Sequence, residues 1–91
     1  MRLIFRSHAI KRMFERKITL EDVRHVLATG ESIREYPNDT PYPSRLIMGW
    51  TADKPLHVVT AVDAETGTTI VITVYVPDPA IWEADFKRKK S

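Results

Sequence analysis

The stretch Ser7–Arg16, SHAIKRMFER, predicts an amphipathic helix, and the rest of the chain is interpreted from it. Ser7 is expected to cap the helix, because a serine hydroxyl accepts a hydrogen bond from a free backbone N–H of the first turn. At 100° per residue one arc is apolar and the other is cationic, with His8, Arg12 and Arg16 at i, i+4 and i+8. The apolar side chains, which we expect to face the core, are Ala9, Ile10, Met13 and Phe14. The cationic stripe is suited to contact with phosphate.

The composition is that of one small domain spanning residues 1–91. The chain is 43% hydrophobic and 29% charged, which is enough for one modest core. It has no cysteine, which excludes disulfides and thiolate chemistry. We find no signal peptide and no run near the roughly 18 apolar residues of a membrane span, so we expect a cytoplasmic protein without membrane contact. The net charge is +2, and the cations crowd both ends of the chain, which suits RNA but also serves solubility.

A second helix is predicted to begin after Thr19 and to end at Gly30. Thr19 is a good N-cap, and Glu21 and Asp22 place acidic groups in the first turn, where the helix dipole favours them. Glycine is common at helix C-termini, so Gly30 is expected to end this helix. Because the connection between the two helices is short, we expect them to form a hairpin whose apolar faces need a covering layer.

That layer is predicted to be a sheet, because the hydrophobic period changes from 3.6 to 2 after Gly30. The predicted strands are residues 32–36, 45–51, 56–62 and 68–76. They are separated by a proline-rich loop at 37–44 and by turns at 52–55 and 63–67. A short helix at about 80–87 and a frayed basic tail at 87–91 are expected to close the chain. The sequence thus predicts an α+β fold in which an N-terminal helix hairpin packs on a four-stranded antiparallel sheet. Residues 2–6 are expected to be an apolar lead-in, either extended or a first turn, packed against the body of the protein.

In the last strand, alternation predicts which side chains meet the helices. The set expected to face them is Ile70, Ile72, Val74 and Val76. The set expected on the other face is Thr69, Val71, Thr73 and Tyr75.

Four stretches resemble a known family: SHAIKRMFERKITLEDV, GES with the following IREYP, PLHVVTAVD, and TVYVPDPAIWEADFKRK. The resemblance is to the bacterial family numbered 4258 among domains of unknown function, which is grouped by similarity with small toxins of the RelE and ParE type. It implies paired helices on a twisted antiparallel sheet. Many relatives in that wider group are metal-independent ribonucleases paired with an antitoxin, others inhibit gyrase, and some have no known activity.

Metal-independent RNA cleavage needs a base, an acid and a cation at the phosphate. The candidate catalytic residues are His8, His57 and Tyr75. The candidate phosphate- or RNA-binding residues are Lys11, Arg12, Arg16 and Thr73. The three histidines lack metal-ligand spacing and there is no phosphate-binding glycine loop, so we expect neither a metal nor a cofactor. An RNA substrate and a protein partner such as an antitoxin follow from this interpretation.

Each candidate also has a structural interpretation. His57 lies in an apolar strand, where a histidine bonded to a backbone carbonyl is equally expected. Arg12 and Arg16 are also explained as solvated helix residues paired with acids. The alternative functions are therefore a non-catalytic module that binds protein or nucleic acid, or a gyrase inhibitor. Convergence of His8, Arg12, His57 and Tyr75 on one surface favours the ribonuclease, and their scatter over opposite faces favours the binding module. The oligomeric state stays open.

Overall fold

The computed structural model describes residues 2–91, which form two helices and one five-stranded sheet. The elements in chain order are β1 (Arg2–Phe5), α1 (Ser7–Arg16), α2 (Leu20–Thr29), β2 (Glu31–Tyr36), β3 (Ser44–Thr51), β4 (Lys54–Asp63) and β5 (Thr68–Tyr75). Within the described range, no helix is both long enough and apolar enough to cross a membrane.

The sheet is mixed, and its strand order is β1-β5-β4-β3-β2. β1 pairs with β5 in parallel, with Ile4 beside Ile70 and Phe5 beside Val71, whereas the other neighbouring strands are antiparallel. The prediction of a four-stranded antiparallel sheet preceded by a helix hairpin is therefore wrong, because a strand comes first and adds a parallel edge. The apolar lead-in is too short to identify as a strand by itself. Its pairing depends on the distant edge of β5.

The two helices begin differently. α1 is preceded by Arg6, whose side chain makes no capping bond, and Ser7 is already helical, so the predicted Ser7 cap is wrong. α2 is capped as predicted, since the Thr19 hydroxyl accepts from the Asp22 N–H at 3.1 Å and the Asp22 carboxylate accepts from the Thr19 N–H at 2.9 Å. Lys17, between the helices, takes the left-handed conformation with φ of 56°.

The main core lies between the helices and one face of the sheet. Its buried members are Ala9, Ile18, Val23, Val26, Ile47, Leu56, Val58, Val71 and Val74. α2 approaches the sheet closely at Gly49, where an added Cβ would lie 2.9 Å from a methyl carbon of Val26. Of the predicted core face of α1, Ala9 is buried and Met13 packs against the core, but Ile10 is 56% exposed and Phe14 is 87% exposed. Only part of the apolar arc of α1 therefore packs against the sheet, and the rest is exposed to solvent.

A bulge in β5 decides which of its side chains face the helices. Val59 pairs with Thr73 and Thr60 pairs with Val71, which leaves Ile72 as an extra residue. Val71 and Val74 consequently both belong to the helix-side core. Val74 therefore faces the helices as predicted, but Val71, which was predicted on the other face, does so too. The predicted alternation fails at the bulge, because one inserted residue shifts the alternation on one side of it.

The predicted helix at 80–87 is also wrong. Residues 77–91, here called the C-terminal segment, form turns, and an isolated bridge joins Trp82 to Lys89. The Glu83 N–H donates to the Arg88 carbonyl, the Lys90 N–H donates to the Ile81 carbonyl, and Phe86 has φ of 55°. Packing against the sheet has overridden the helical spacing of the apolar residues.

Candidate nucleic-acid interface

The sheet separates the predicted site residues into two groups. The first group, here called the α1 stripe, lies in the helix layer and consists of His8, Lys11, Arg12 and Arg16. His57 lies between Leu56 and Val58, which both belong to the helix-side core, so alternation points His57 to the opposite face. Tyr75 and Thr73 share that opposite face, because they pair with His57 and Val59. The structure therefore brings His57, Thr73 and Tyr75 together and holds them apart from the α1 stripe.

His57 is fully buried, and both of its ring nitrogens are hydrogen bonded. Nε2 lies 2.7 Å from the Phe86 carbonyl oxygen, which only accepts, so Nε2 carries the proton and donates. Nδ1 lies 3.1 Å from the Tyr75 hydroxyl and accepts from it when the ring is neutral. This chain of two bonds ties β5, β4 and the C-terminal segment together.

The environment of His57 favours the neutral ring. Burial lowers its pKa below 6.5, and the nearby Arg34 guanidinium lowers it further, against an opposing effect of the hydrogen bond to Phe86. The Trp82 ring stands edge-on to the imidazole with centroids 4.5 Å apart. Burial also raises the pKa of Tyr75 above 10.0. His57 is therefore placed as an anchor of the C-terminal segment, which is the structural alternative that its apolar strand suggested.

Arg34 is a candidate that sequence reasoning missed. β2 places it opposite Leu46, which lies on the same face as Met48 and hence as the paired His57. Its guanidinium carbon lies 5.6 Å from the centroid of the Trp82 ring, a cation–π arrangement. Its charge influences the pKa values of both His57 and Tyr75. The alternation in IREY, with a cation and an aromatic residue two positions apart, is the sequence signal that would have found it.

Two further aromatic side chains are exposed on this face. Tyr36 lies two positions beyond Arg34 in β2, is 36% exposed, and is close enough to Tyr75 to raise the pKa of that phenol. Trp50, at the end of β3, is 45% exposed and meets the Phe86 ring edge-on at 5.7 Å. We call the residues of this surface the sheet-face cluster. Its members are Arg34, Tyr36, Trp50, Thr73 and Tyr75.

The C-terminal segment adds cations beside the sheet-face cluster. The Lys89 ammonium lies 5.8 Å from the centroid of the Trp82 ring, so that ring has cationic neighbours from both β2 and the segment. The Lys87 ammonium pairs with the Glu31 carboxylate at 3.2 Å. Lys87, the first of the residues 87–91 for which the sequence predicts fraying, thus contacts β2.

The stripe on α1 is a separate cationic surface. His8, Lys11, Arg12 and Arg16 are all exposed. Arg12 pairs with Glu15 at 3.7 Å, and both side chains are 46% exposed, so solvent screens this pair. No cluster of three or more metal-binding side chains occurs within residues 2–91.

The fold and this surface define a small α+β protein with two helices on one face of a mixed sheet and a cation–aromatic cluster on the other. The family model described as Domain of unknown function (DUF4258) matches residues 5–76, and the chain belongs to that family. No curated protein and no solved structure matches this chain significantly. The matched range holds both helices and β2 to β5, and it ends just before the C-terminal segment.

Proposed function

We propose that this protein is a non-catalytic module that binds single-stranded RNA on the sheet-face cluster. The observation that supports it is an exposed cation–aromatic face whose histidine is fully buried and engaged through both ring nitrogens. Such a face can bind a nucleic acid, because its cation can contact a phosphate and its aromatic rings can stack on bases. It offers no exposed imidazole for proton transfer.

The chemistry of the cluster fits unpaired RNA better than a duplex. Single-stranded bases stack on aromatic side chains, and here Trp50 and Tyr36 are both substantially exposed. Arg34 is exposed and takes part in none of the ion pairs found within residues 2–91, so its guanidinium is available to a phosphate. Thr73, partly exposed on the same face, adds a hydroxyl donor.

Binding without cleavage is favoured by the separation of the titratable groups. The predicted acid–base pair was His8 with His57, and these residues lie on opposite sides of the sheet. Proton transfer requires a group within hydrogen-bond reach of the reacting atom, either directly or through one water. A single phosphate cannot meet both rings in this arrangement.

The test is binding of a fluorescent single-stranded RNA 12-mer, measured by anisotropy at several salt concentrations. We expect Trp50→Ala and Tyr36→Ala each to weaken binding about fivefold to a hundredfold, because one stacked base contributes roughly 1–3 kcal/mol. Arg34→Gln should weaken binding and flatten its salt dependence. The matched control is Lys11→Gln with Arg16→Gln on α1, which should leave the affinity within about twofold. Loss in the α1 variant with unchanged binding in the cluster variants would refute the proposal.

A metal-independent ribonuclease is the second candidate, and the contact between Tyr75 and His57 beside the charge of Arg34 favours it. It would agree with the resemblance to RelE and ParE toxins, in which case an antitoxin is the expected partner and the cytoplasm the expected compartment. His8, Lys11, Arg12 and Arg16 would then serve a second RNA contact.

This candidate is tested with total RNA in EDTA followed by end-group analysis. Cleavage to 2′,3′-cyclic phosphate ends that is lost in Tyr75→Phe or in His8→Ala would support the enzyme and overturn the non-catalytic proposal. RNA binding without cleavage, in folded protein free of any partner, would overturn the enzyme.

A further inference from the structure

A second surface, on the helix side, exposes more apolar area than a solvated helix requires. Phe14 is 87% exposed, Ile10 one turn before it is 56% exposed, and Leu20 at the start of α2 is 42% exposed. These residues belong to one flank of the helix layer, away from the sheet-face cluster. Contiguous exposed apolar side chains of this size mark interaction sites more often than isolated ones do.

Two of these exposed side chains, Ile10 and Leu20, help to line a groove. A groove of about 230 Å³, almost entirely apolar in its lining, is formed by Phe5, Ile10, Met13 and Leu20. Phe5 from β1 and Met13 from α1 also pack against the main core, so the groove floor is continuous with the core. Phe14 does not line the groove itself but lies one helical turn from Ile10, which does. We call this surface, including Phe14, the helix groove.

The charges beside the helix groove have one sign. Lys11 lies three residues before Phe14 on α1, and Arg24 lies one turn after Leu20 on α2, so both are neighbours of these exposed apolar residues. Lys17, the C-cap residue of α1, lies in the connection between Phe14 and Leu20. Each of these three cations is exposed, and none has a side-chain ion pair or hydrogen bond in the described part of the chain. Two acidic residues, Glu15 and Glu21, directly follow Phe14 and Leu20, but each lies 100° round its helix from that residue. Glu15 also pairs with Arg12. The groove therefore has an apolar floor with a cationic rim.

We propose that the helix groove docks an amphipathic helix of a partner protein whose polar face is acidic. An amphipathic helix lays residues at i, i+3 or i+4, and i+7 into such a groove, and Ile10 and Phe14 present the matching one-turn spacing. Acidic side chains flanking those residues would meet Lys11, Lys17 and Arg24. A second copy of this chain fits less well, since it would place the same cations against one another. This surface is separate from the one that the proposed function uses.

The experiment selects helices by their charge. A display library of 18-residue amphipathic helices, with fixed leucines on one face and random polar residues on the other, is selected on the immobilised full chain. We expect the recovered polar faces to be net acidic, and their binding to weaken at least tenfold in Phe14→Ser. Lys11→Glu with Lys17→Glu should weaken it similarly, whereas Ile81→Ser, which changes an exposed apolar residue elsewhere, should not.

Four outcomes would overturn the proposal. Recovered helices that are neutral or basic would contradict the charge requirement. Helices that bind Phe14→Ser as well as the parent would lie outside the groove, and failure to enrich any helix over the Phe14→Ser variant would exclude docking there. Sedimentation could also show that the parent dimerises with increasing concentration and that Phe14→Ser does not. This result would mean that the groove binds a second copy of the chain.

Discussion

The two faces of the sheet are covered in physically different ways. The helix-facing side is closed by apolar side chains from both helices, with Val26 packed directly against Gly49. The opposite side is covered in part by the C-terminal segment, through the bonds of His57 and the rings of Trp82 and Phe86. The helix-facing side is held chiefly by burial of apolar area. The opposite side combines a smaller buried apolar set, Leu46, Met48 and Trp82, with directional contacts around a titratable ring.

This difference implies that the two faces of the sheet differ in the free energy needed to open them locally. Apolar burial is spread over many residues and does not depend on pH near neutrality. A segment held by few contacts opens at lower cost than the core does. We therefore expect the C-terminal segment to detach locally while the helices and sheet stay folded.

The largest expected effect is on the helix side. Leu56→Ala should lower the free energy of unfolding by about 3 kcal/mol, because a fully buried leucine leaves a cavity between the sheet and the helices. Urea denaturation followed by circular dichroism measures it. The control is Val62→Ala on the same strand, where the side chain is 42% exposed and a change within about 0.5 kcal/mol is expected. A loss below about 1 kcal/mol in Leu56→Ala would contradict the role given to this face.

A smaller and local effect is expected at Trp82. Trp82→Ala removes the ring that covers His57 and should weaken docking of the C-terminal segment by about 2 kcal/mol, since the opened site can hydrate. Amide exchange should then accelerate at Glu83 and Lys90, with little change in α2. Ile81→Ala, at an exposed neighbour, is the matched control. Equal acceleration throughout α2 would show that the two faces do not separate.

The smallest expected effect is a pH dependence that distinguishes the faces. Because burial holds the pKa of His57 below 6.5, its stabilising contribution is present above pH 6.5 and is lost as the pH falls through the folded-state value. On the helix side, the hydrogen bonds from Thr19 and Thr51 lower the pKa of Asp22, so its contribution is lost only below about pH 3.8.

Amide exchange of the C-terminal segment between pH 7.5 and 5, corrected for intrinsic rates, measures the effect of His57. Opening should become easier over this range in the parent protein, and this dependence should disappear in His57→Gln. Replacement of the exposed His25 by glutamine is the control and should leave it unchanged. A dependence that persists in His57→Gln would assign it to another group.

Local signals predicted most of the elements. Helix α1, the Thr19 cap of α2 and the strands after Gly30 follow from periodicity and capping chemistry, which act over a few residues. The apolar arc of α1 predicted that Phe14 faces the core, and this was wrong. An amphipathic pattern does not reveal how much of the apolar arc the sheet covers. Residues 2–6 were predicted only as a lead-in that is extended or a first turn, and not as a paired strand, since four residues carry too little periodic signal.

The candidate site was predicted only in part. His57, Thr73 and Tyr75 share a face, but Arg34 and Tyr36 were not anticipated, because strand order determines which side chains become neighbours across β2, β3 and β4. The separation of His8 from His57 depends on which face of the sheet receives α1. Packing of the whole core determines which face that is.

By itself, the sequence determined the α+β class, the position of the helices and of β2 to β5, and the membership of the family, since these depend on local patterns. The tertiary structure alone decided the parallel pairing of β1, the bulge at Ile72 and the fold of the C-terminal segment. Each of these depends on contacts between residues far apart in the chain. The same contacts bury His57 and leave Phe14 exposed, so they also decide which surfaces are available for binding.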